Sequence, residues 1–276
     1  MRDAQFALHA ELEDRHWWFL GRRTIVQRLL ERVVPPRPDA LVIDVGCGTG
    51  ANIAALSSSY RCLGLDESAQ AIDLAKSRFV GVEYACEAKL SACADRFGAA
   101  SAVLLMDVLE HVQDEFAMLS QLLSLLRPGT HVLITVPADP SLWTIHDESF
   151  GHWRRYDIGR LRETWRGLAV EERLLSPYNA RLFPIIKAVR TMSKHRDRPA
   201  GKAGTDFSMP PWFVNHWLAS LFSGEATLLE RAIDHGTRPP YKRGASLIAI
   251  LRRTDGAIVP RNKPEGVRPD QRSEPD

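Results

Sequence analysis

Short apolar runs alternate with amphipathic stretches along the first two thirds of the chain. The stretches between the runs have helical patterns. Two of them are residues 51–59 and a helix that Asp157 could cap and that continues to about Leu168. Strands and helices in alternation predict right-handed crossovers and a mostly parallel sheet with helices on both faces. We therefore expect an α/β, doubly wound fold, in which the predicted strands are Leu41–Val45, Arg61–Leu65, Val82–Cys86, Ala102–Met106, His131–Val136 and Val170–Leu175.

The two ends of the chain follow other patterns. Apolar positions on one face predict a single helix over residues 6–34, with the aromatic segment His16-Trp17-Trp18-Phe19 inside it. Residues 177–243 contain apolar helical stretches separated by a segment rich in Pro, Gly and basic residues, and strand character returns at Ala245–Leu251. The expected parts are a helical lid, a core, an inserted helical cap, the last core strand and a disordered polar tail, at residues 1–36, 37–176, 177–243, 244–253 and 254–276.

Composition describes an ordinary globular protein. Of 276 residues, 45% are hydrophobic and 25% are charged, and 36 Lys and Arg against 34 Asp and Glu give a net charge of +2. This small net charge argues against a nucleic-acid partner. The chain has no apolar run long enough for a membrane span and no signal-peptide pattern at its start, so we expect a cytoplasmic protein whose four cysteines are reduced.

A glycine-rich turn follows the first predicted strand. Glycines at positions 46, 48 and 50 let the backbone turn sharply and approach a ligand closely, at the start of the next helix. Asp66 closes the second strand, where a carboxylate can accept hydrogen bonds from both hydroxyls of a ribose. The segment Gly46–Ala51 also fits the dinucleotide fingerprint. Asp44 would oppose a pyrophosphate but suits a ligand with an ammonium and a sulfonium, which favours S-adenosylmethionine.

Four segments together resemble the class I S-adenosylmethionine-dependent methyltransferases. Asp44–Gly50 is similar to the first motif of this family and Asp66 to its ribose-binding acid, while Met106–Val112 resembles the segment after the fourth strand and Leu126–Thr130 the turn before the fifth. The resemblance covers residues 40–175. It implies a seven-stranded Rossmann-like sheet whose last strand is antiparallel, with S-adenosylmethionine as methyl donor and S-adenosylhomocysteine as product.

The expected donor site draws on the glycine turn, the ends of neighbouring strands and the lid. Glu87 stands near the position of the family's adenine-side acid, and an arginine of the lid, Arg22 or Arg23, could pair with the donor carboxylate. Alternatively, the lid helix packs by its aromatics and leaves both arginines in solvent. The predicted donor contacts are Trp18, Arg23, Asp44, Gly46, Cys47, Gly48, Gly50, Asp66, Glu67, Glu87 and Met106.

Candidate catalytic groups follow the fourth and fifth strands. An activated methyl donor requires a base only if the acceptor must lose a proton, and histidine suits that role near neutral pH. His111 is the first candidate base, unless it only ties its helix to the sheet, and His152 and Tyr156 are expected to place the acceptor.

A metal site is the alternative at the same position. The pattern Asp107-x-x-Glu110-His111 resembles the metal site of some ubiquinone-type and small-RNA methyltransferases, which would hold Mg²⁺ or Mn²⁺. The pattern there has Glu where this chain has Asp107, so we expect no metal and keep metal-assisted O-methylation of a catechol- or quinol-like acceptor as an alternative.

Basic residues outnumber acidic ones between Arg181 and Lys202, around an apolar stretch. This segment suits a peripheral membrane contact or an acidic or lipid-linked acceptor, or it is the solvated face of a buried helix.

We predict a methyltransferase that moves a methyl group to O, N or C of a small or lipid-linked metabolite. A nicotinamide-dependent oxidoreductase and a non-catalytic nucleotide-binding scaffold stay open, and the oligomeric state is not readable from the sequence.

Overall fold

A seven-stranded sheet forms the centre of the computed structural model, which describes residues 3–196, 208–236 and 238–258. The spatial order of the strands is β3-β2-β1-β4-β5-β7-β6, and all neighbours are parallel except β7, which is antiparallel to both β5 and β6. The predicted doubly wound sheet with an antiparallel last strand is therefore confirmed. The strands are β1 (Leu41–Val45), β2 (Arg61–Asp66), β3 (Glu83–Cys86), β4 (Ala100–Met106), β5 (His131–Pro137), β6 (Val170–Tyr178) and β7 (Ser246–Arg253).

Helices cover both faces of this sheet. One face carries a core that includes Leu29, Phe222 and Leu229 from three different helices, and the other carries a core that includes Phe97 and Leu119. Strands such as β1 are buried along their whole length, which explains their unbroken apolar sequence. The helices are α1 (Asp3–Leu12), α2 (Trp17–Val33), α3 (Ala51–Ala54), α4 (Ala69–Arg78), α5 (Ala94–Ala99), α6 (Glu115–Leu125), α7 (Ile145–Ser149), α8 (Ile158–Glu163), α9 (Phe183–Arg196), α10 (Trp212–Ser223) and α11 (Ala226–His235).

Three helix predictions need correction. The single helix expected over residues 6–34 is two helices, because His16 adopts an extended conformation and its side chain caps α2 by accepting from the Trp18 backbone N–H. The helix expected over 51–59 ends at Ala54, after which i→i−3 hydrogen bonds replace the α-helical ones through the serine run. The helix that Asp157 begins ends at Glu163 rather than near Leu168. Its predicted cap is confirmed, since the Asp157 carboxylate accepts from the Arg160 backbone N–H at 2.7 Å.

Helices from the segments predicted as lid and cap pack together against one face of the sheet. α2 contacts α10 and α11, and Ile25 and Leu30 of α2 belong to the same core as Ile233 of α11. A Cβ on Gly21 would clash with the Phe222 ring, so α2 and α10 approach closely. The boundaries of lid, core and cap stay a prediction, and residues 259–276 of the predicted tail lie outside the described residues.

The topology places a crevice at one edge of the sheet. Strand order reverses between β1 and β4, and open α/β sheets bind ligands outside the carboxyl ends of the strands at such a point. The glycine turn follows β1, and the segment Asp107–Val112 follows β4, so both lie at this edge. Within the described residues, no helix is both long and apolar enough to cross a membrane.

Candidate active site

A cavity of about 1450 Å³ lies at the carboxyl ends of β1 and β4. Its walls come from α1 and α2, from the turns after β1, β2, β3 and β4, from the connection that follows β5, and from α9. Such a volume exceeds what one drug-sized ligand fills, so the cavity has room for two molecules side by side. The predicted site residues that line it are Trp18, Gly46, Cys47, Gly48, Asp66, Glu67, Glu87, Met106, His111 and His152.

The glycine turn is shaped by backbone conformations that favour glycine. Gly46, Gly48 and Gly50 have φ angles of +75°, +54° and +90°. A Cβ on Gly46 would lie 2.7 Å from a methyl group of Val108, and one on Gly50 would meet Ala75 and the hydroxyl of Tyr84, both at 2.8 Å. A Cβ on Gly48 would meet nothing within 4 Å, so Gly46 and Gly50 are required for packing, whereas Gly48 leaves an open backbone beside the cavity.

Asp66 is fixed at the end of β2 and faces the glycine turn. One carboxylate oxygen accepts from the Gly48 backbone N–H at 2.8 Å, and the other accepts from the Ser68 backbone N–H at 2.9 Å. Each oxygen keeps a further lone pair. The carboxylate can therefore hold two hydroxyls of a ribose without breaking the hydrogen bonds that position it. Glu67 and Glu87 line the cavity beside it.

Asp44 is fully buried behind the glycine turn, and neither of its carboxylate oxygens has a hydrogen-bond partner. Asp44 does not itself line the cavity, but its neighbours Val45 and Gly46 do. Burial raises the pKa of Asp44 to about 8, and the Arg22 guanidinium opposes this shift. A buried carboxylate without a partner is costly unless a cation compensates it. The ammonium and sulfonium of S-adenosylmethionine meet this need, so these residues fit that ligand.

Arg22, rather than Arg23, is the arginine of α2 that lines the cavity. Its guanidinium forms an ion pair with Asp107 and lies over the Trp18 ring, 4.3 Å from the ring centroid. Arg23 points elsewhere and donates to the backbone carbonyl of Glu13 at 2.7 Å. The prediction that Arg23 contacts the donor is therefore not supported by the geometry. Two adjacent arginines on a helix lie about 100° apart, and the sequence alone did not show which of them faces inward.

A histidine held by a carboxylate also lines the cavity. His152 Nδ1 is 3.0 Å from Asp147 Oδ1, and Asp147 also accepts from Arg155 at 2.8 Å and from Arg190 of α9 at 3.3 Å. Burial alone would raise the pKa of Asp147, but Arg155, His152 and Arg190 outweigh burial and hold it well below its usual range. An ionised carboxylate only accepts, so His152 Nδ1 is the donor, and in the neutral imidazole Nε2 then carries the lone pair. This arrangement prepares His152 to take a proton.

His111 and Glu110 complete this wall. The rings of His111 and His152 meet edge to face with centroids 4.8 Å apart. Glu110, His111 and His152 each offer one atom that could bind a metal, and these three atoms lie within 4.8 Å of one another. Both carboxylate oxygens of Glu110 are buried without a hydrogen-bond partner, and burial together with Asp107 raises the pKa of Glu110 well above its usual range.

The proposed metal set changes in consequence. Asp107, which the sequence pattern grouped with Glu110 and His111, is instead bonded to Arg22 and to the Thr135 hydroxyl. The residues that the structure brings together are Glu110, His111 and His152.

Tyr156 is not part of the cavity wall, which corrects the prediction that it places the acceptor. It is fully buried in the core around α8, and burial raises its pKa further above the usual tyrosine value. The cause is a β-bridge between Tyr156 and Ala138, in which the Tyr156 backbone N–H donates to the Pro137 carbonyl at 2.9 Å and turns the side chain into the sheet.

Two residues of the site were not identified as functional from the sequence. Asp147, which lies behind the cavity wall and holds His152, is in α7, and the signal it carries is its place in the capping box of that helix. Asn179 follows β6 with a φ of +51°, lines the cavity and has a buried amide oxygen without a partner. No sequence pattern marks Asn179.

Comparisons with known proteins agree with this geometry. A family model described as a methyltransferase domain matches residues 18–183. Trans-aconitate 2-methyltransferase of Deinococcus radiodurans is 32% identical over 135 residues, which are 46% of this chain and 49% of that protein. Ubiquinone biosynthesis O-methyltransferase of Xanthomonas campestris pv. campestris is 34% identical over 120 residues, 39% of this chain and 48% of that protein. The chain thus spans about half the length of the curated relatives it matches.

A solved structure extends the likeness to the whole fold. The plantazolicin methyltransferase BpumL, in complex with a monoazolic desmethylPZN analogue and S-adenosylhomocysteine, has a TM-score of 0.55 at 11% identity and covers 91% of this chain and 90% of its own. The family match includes the glycine turn, Asp66 and the His111 and His152 wall, and it covers more than half of the chain. The protein therefore belongs to the methyltransferase domain family of class I S-adenosylmethionine-dependent methyltransferases.

Proposed function

We propose that the protein transfers the methyl group of S-adenosylmethionine to a hydroxyl, phenol or acidic carbon of a small or lipid-linked metabolite. The single observation that carries this proposal is the Asp147–His152 pair, in which His152 lines the same cavity as the glycine turn and Asp147 holds its imidazole from behind the wall. A carboxylate that fixes one imidazole nitrogen leaves the other free to accept a proton. An acceptor that must lose a proton before or during methylation uses such a group, whereas an amine that is already neutral does not.

The donor half of the cavity lies between the glycine turn and Asp66. In the proposed binding mode, Asp66 accepts from the ribose hydroxyls, Asp44 compensates the positive charge of the methionine part, and Arg22 lies near the donor carboxylate. In the same binding mode, the adenosine lies beside Glu67, Glu87 and Met106, which line the cavity. The protein contributes orientation and exclusion of water, because the sulfonium already activates the methyl group for in-line displacement.

The acceptor half has a polar end and an apolar side. His152 and His111 form the polar end, and the unpartnered amide oxygen of Asn179 offers a hydrogen-bond acceptor for a hydroxyl or N–H of the substrate. Apolar residues, Leu182 and Ile186 among them, line the side toward α9. An acceptor with a polar head at the histidines and an apolar tail along α9 fits these two parts of the wall. The shape of the acceptor half therefore favours a lipid-linked acceptor over a fully polar one.

The test is a methyl-transfer assay with isotopically labelled S-adenosylmethionine. Two acceptors are compared. One is trans-aconitate, which the name of one relative prints. The other is a quinol or catechol with an apolar tail, which suits the apolar side toward α9. We expect label in the quinol or catechol and a loss of turnover in His152→Ala with donor affinity retained. His111→Ala is the matched comparison, since His152 is the histidine that Asp147 holds. Transfer that is equally fast in His152→Ala would overturn the role of His152.

A second candidate function is metal-assisted O-methylation. The convergence of Glu110, His111 and His152 favours it, as does the Asp147–His152 contact, because metal-binding histidines commonly donate their other nitrogen to a carboxylate. A divalent ion there would bind the acceptor oxygen and favour its ionised form. Turnover that requires added Mg²⁺ or Mn²⁺ and that Glu110→Gln abolishes would support this candidate, while full turnover in a chelator would exclude it.

A further inference from the structure

Helix α10 presents an unusually aromatic face to solvent. The side chains of Trp212, Phe213 and Trp217 are 81%, 59% and 57% exposed. Their spacing places all three on one side of the helix, and α10 contains no Lys, Arg, Asp or Glu. Large aromatic side chains that share an exposed face mark an interaction surface rather than ordinary protein surface.

The opposite side of α10 fixes this face in one orientation. Asn215 accepts from the Trp17 backbone N–H at 2.8 Å and donates to the Arg15 carbonyl at 2.7 Å. Phe222 is fully buried in the core and lies against Gly21 of α2. Because α10 is anchored in this way, its three exposed aromatic side chains cannot turn inward without breaking these contacts.

Helix α9 has an exposed apolar strip of its own, and both helices border the cavity, α10 through Leu218. Ile185, Val189 and Met192 recur at helical spacing and are all exposed. Ile185 and Val189 also line the large cavity, so this strip borders the cavity opening. The opening of the acceptor half is therefore rimmed by apolar side chains.

The charge of α9 selects the partner. This helix contains four basic residues, which are Lys187, Arg190, Lys194 and Arg196, and no Asp or Glu. Exposed aromatic and aliphatic side chains together with neighbouring basic residues are typical of helices that lie in the headgroup region of an anionic bilayer. At 12 residues, α10 is about 18 Å long and would lie along a bilayer.

We propose that the exposed faces of α9 and α10 form a docking surface for an anionic phospholipid membrane. The sequence pattern placed this contact at residues 181–202, of which 197–202 lie outside the described residues, and the structure adds the aromatic face of α10 as its main apolar element. Docking would bring the rim of the cavity to the bilayer, where the apolar tail of an acceptor resides. This consequence rests on the proposed function, whereas the docking itself does not depend on methyl transfer.

Co-sedimentation with vesicles tests the surface without any turnover. The full chain is mixed with vesicles of phosphatidylcholine alone or with equal parts of phosphatidylglycerol, at low and high salt. We expect binding to the anionic vesicles that weakens with salt and a loss of at least about tenfold in the triple variant W212Q/F213Q/W217Q. Val80→Gln is the matched control, since Val80 is 97% exposed and lies in the loop between α4 and β3.

Calorimetric binding of S-adenosylhomocysteine reports whether the triple variant is folded, because none of its three positions lines the cavity. If that variant fails to fold, Trp212→Gln alone carries the test, with an expected loss of several-fold. Absence of wild-type binding to anionic vesicles would overturn the proposal, as would equal binding of a folded variant. A wild-type dimer that the variant dissociates, with no vesicle binding, would identify the face as an interface between copies of this chain and would also overturn it.

Discussion

Replacing Asp147 with Asn removes one charge from the centre of the His152 wall. The carboxylate is fully buried and accepts from His152, from Arg155 and from Arg190, and both arginine side chains are themselves largely buried. Breaking a buried ion pair by removing one partner costs about 3–5 kcal/mol. The amide keeps one accepting oxygen, so we expect the lower end, about 3 kcal/mol, which leaves a domain of typical stability folded.

The same substitution should slow methyl transfer. The side-chain amide of the Asp147→Asn variant can donate to His152 Nδ1, which would favour the tautomer whose Nε2 carries the proton and cannot accept another. Loss of a general base costs about 100- to 10,000-fold in rate. S-adenosylhomocysteine affinity should change little, because Asp147 lies on the acceptor side.

Chemical denaturation and labelled methyl transfer measure the two effects. Asp139→Asn is the matched control, since Asp139 lies on the same connection, is partly exposed and pairs with Lys187 at 3.5 Å. That control should lose less than about 1 kcal/mol. Because the folded-state pKa of Asp147 is lowered, its contribution is complete above the unfolded-state value of about 4 and is lost as the pH falls further. An Asp147→Asn variant as stable and as active as the control would refute the reasoning.

Three further outcomes follow from the donor side. The pKa of Asp44 is raised to about 8 in the free protein, so donor binding at pH 7 should release close to one proton. Calorimetry in buffers of different ionisation enthalpy measures this release, and Asp44→Asn should abolish it. Gly46→Ala should lose at least about 1–2 kcal/mol of folding stability in denaturation, from its positive φ and the contact with Val108, and should weaken S-adenosylhomocysteine binding. Arg22→Ala should reduce donor affinity in titration more than Arg23→Ala, and the reverse order would favour the sequence-based prediction of Arg23.

The sheet was predictable because its signals are local. Each buried strand carries its own apolar run, and the glycine turn and Asp66 lie at the ends of two such runs. The strand at 246–253 was also found, although a long stretch of a different pattern precedes it in the sequence, because its apolar run is unbroken. The helix ends were less predictable, since His16 interrupts an otherwise continuous helical pattern through a single side-chain cap.

The acceptor half was less predictable because it depends on contacts between distant segments. The Asp147 carboxylate meets Arg190 from α9, 43 positions along the chain, and no periodicity reports such a pair. Tyr156 has the pattern of a pocket residue beside His152, but one β-bridge turns it into the core. The sequence indicates the aromatics of α10 only as part of an apolar helix, because it does not show which face of a helix is covered.

Calorimetric titration of the purified, dialysed protein with S-adenosylhomocysteine, beside NADH, tests the central claim most directly. We expect S-adenosylhomocysteine to bind at micromolar strength, about −8 kcal/mol, with at least about a tenfold loss in Asp66→Ala, where two hydrogen bonds to a carboxylate disappear. NADH should not bind. Absence of S-adenosylhomocysteine binding, or preferential binding of NADH, would contradict the account and assign the glycine turn to a dinucleotide.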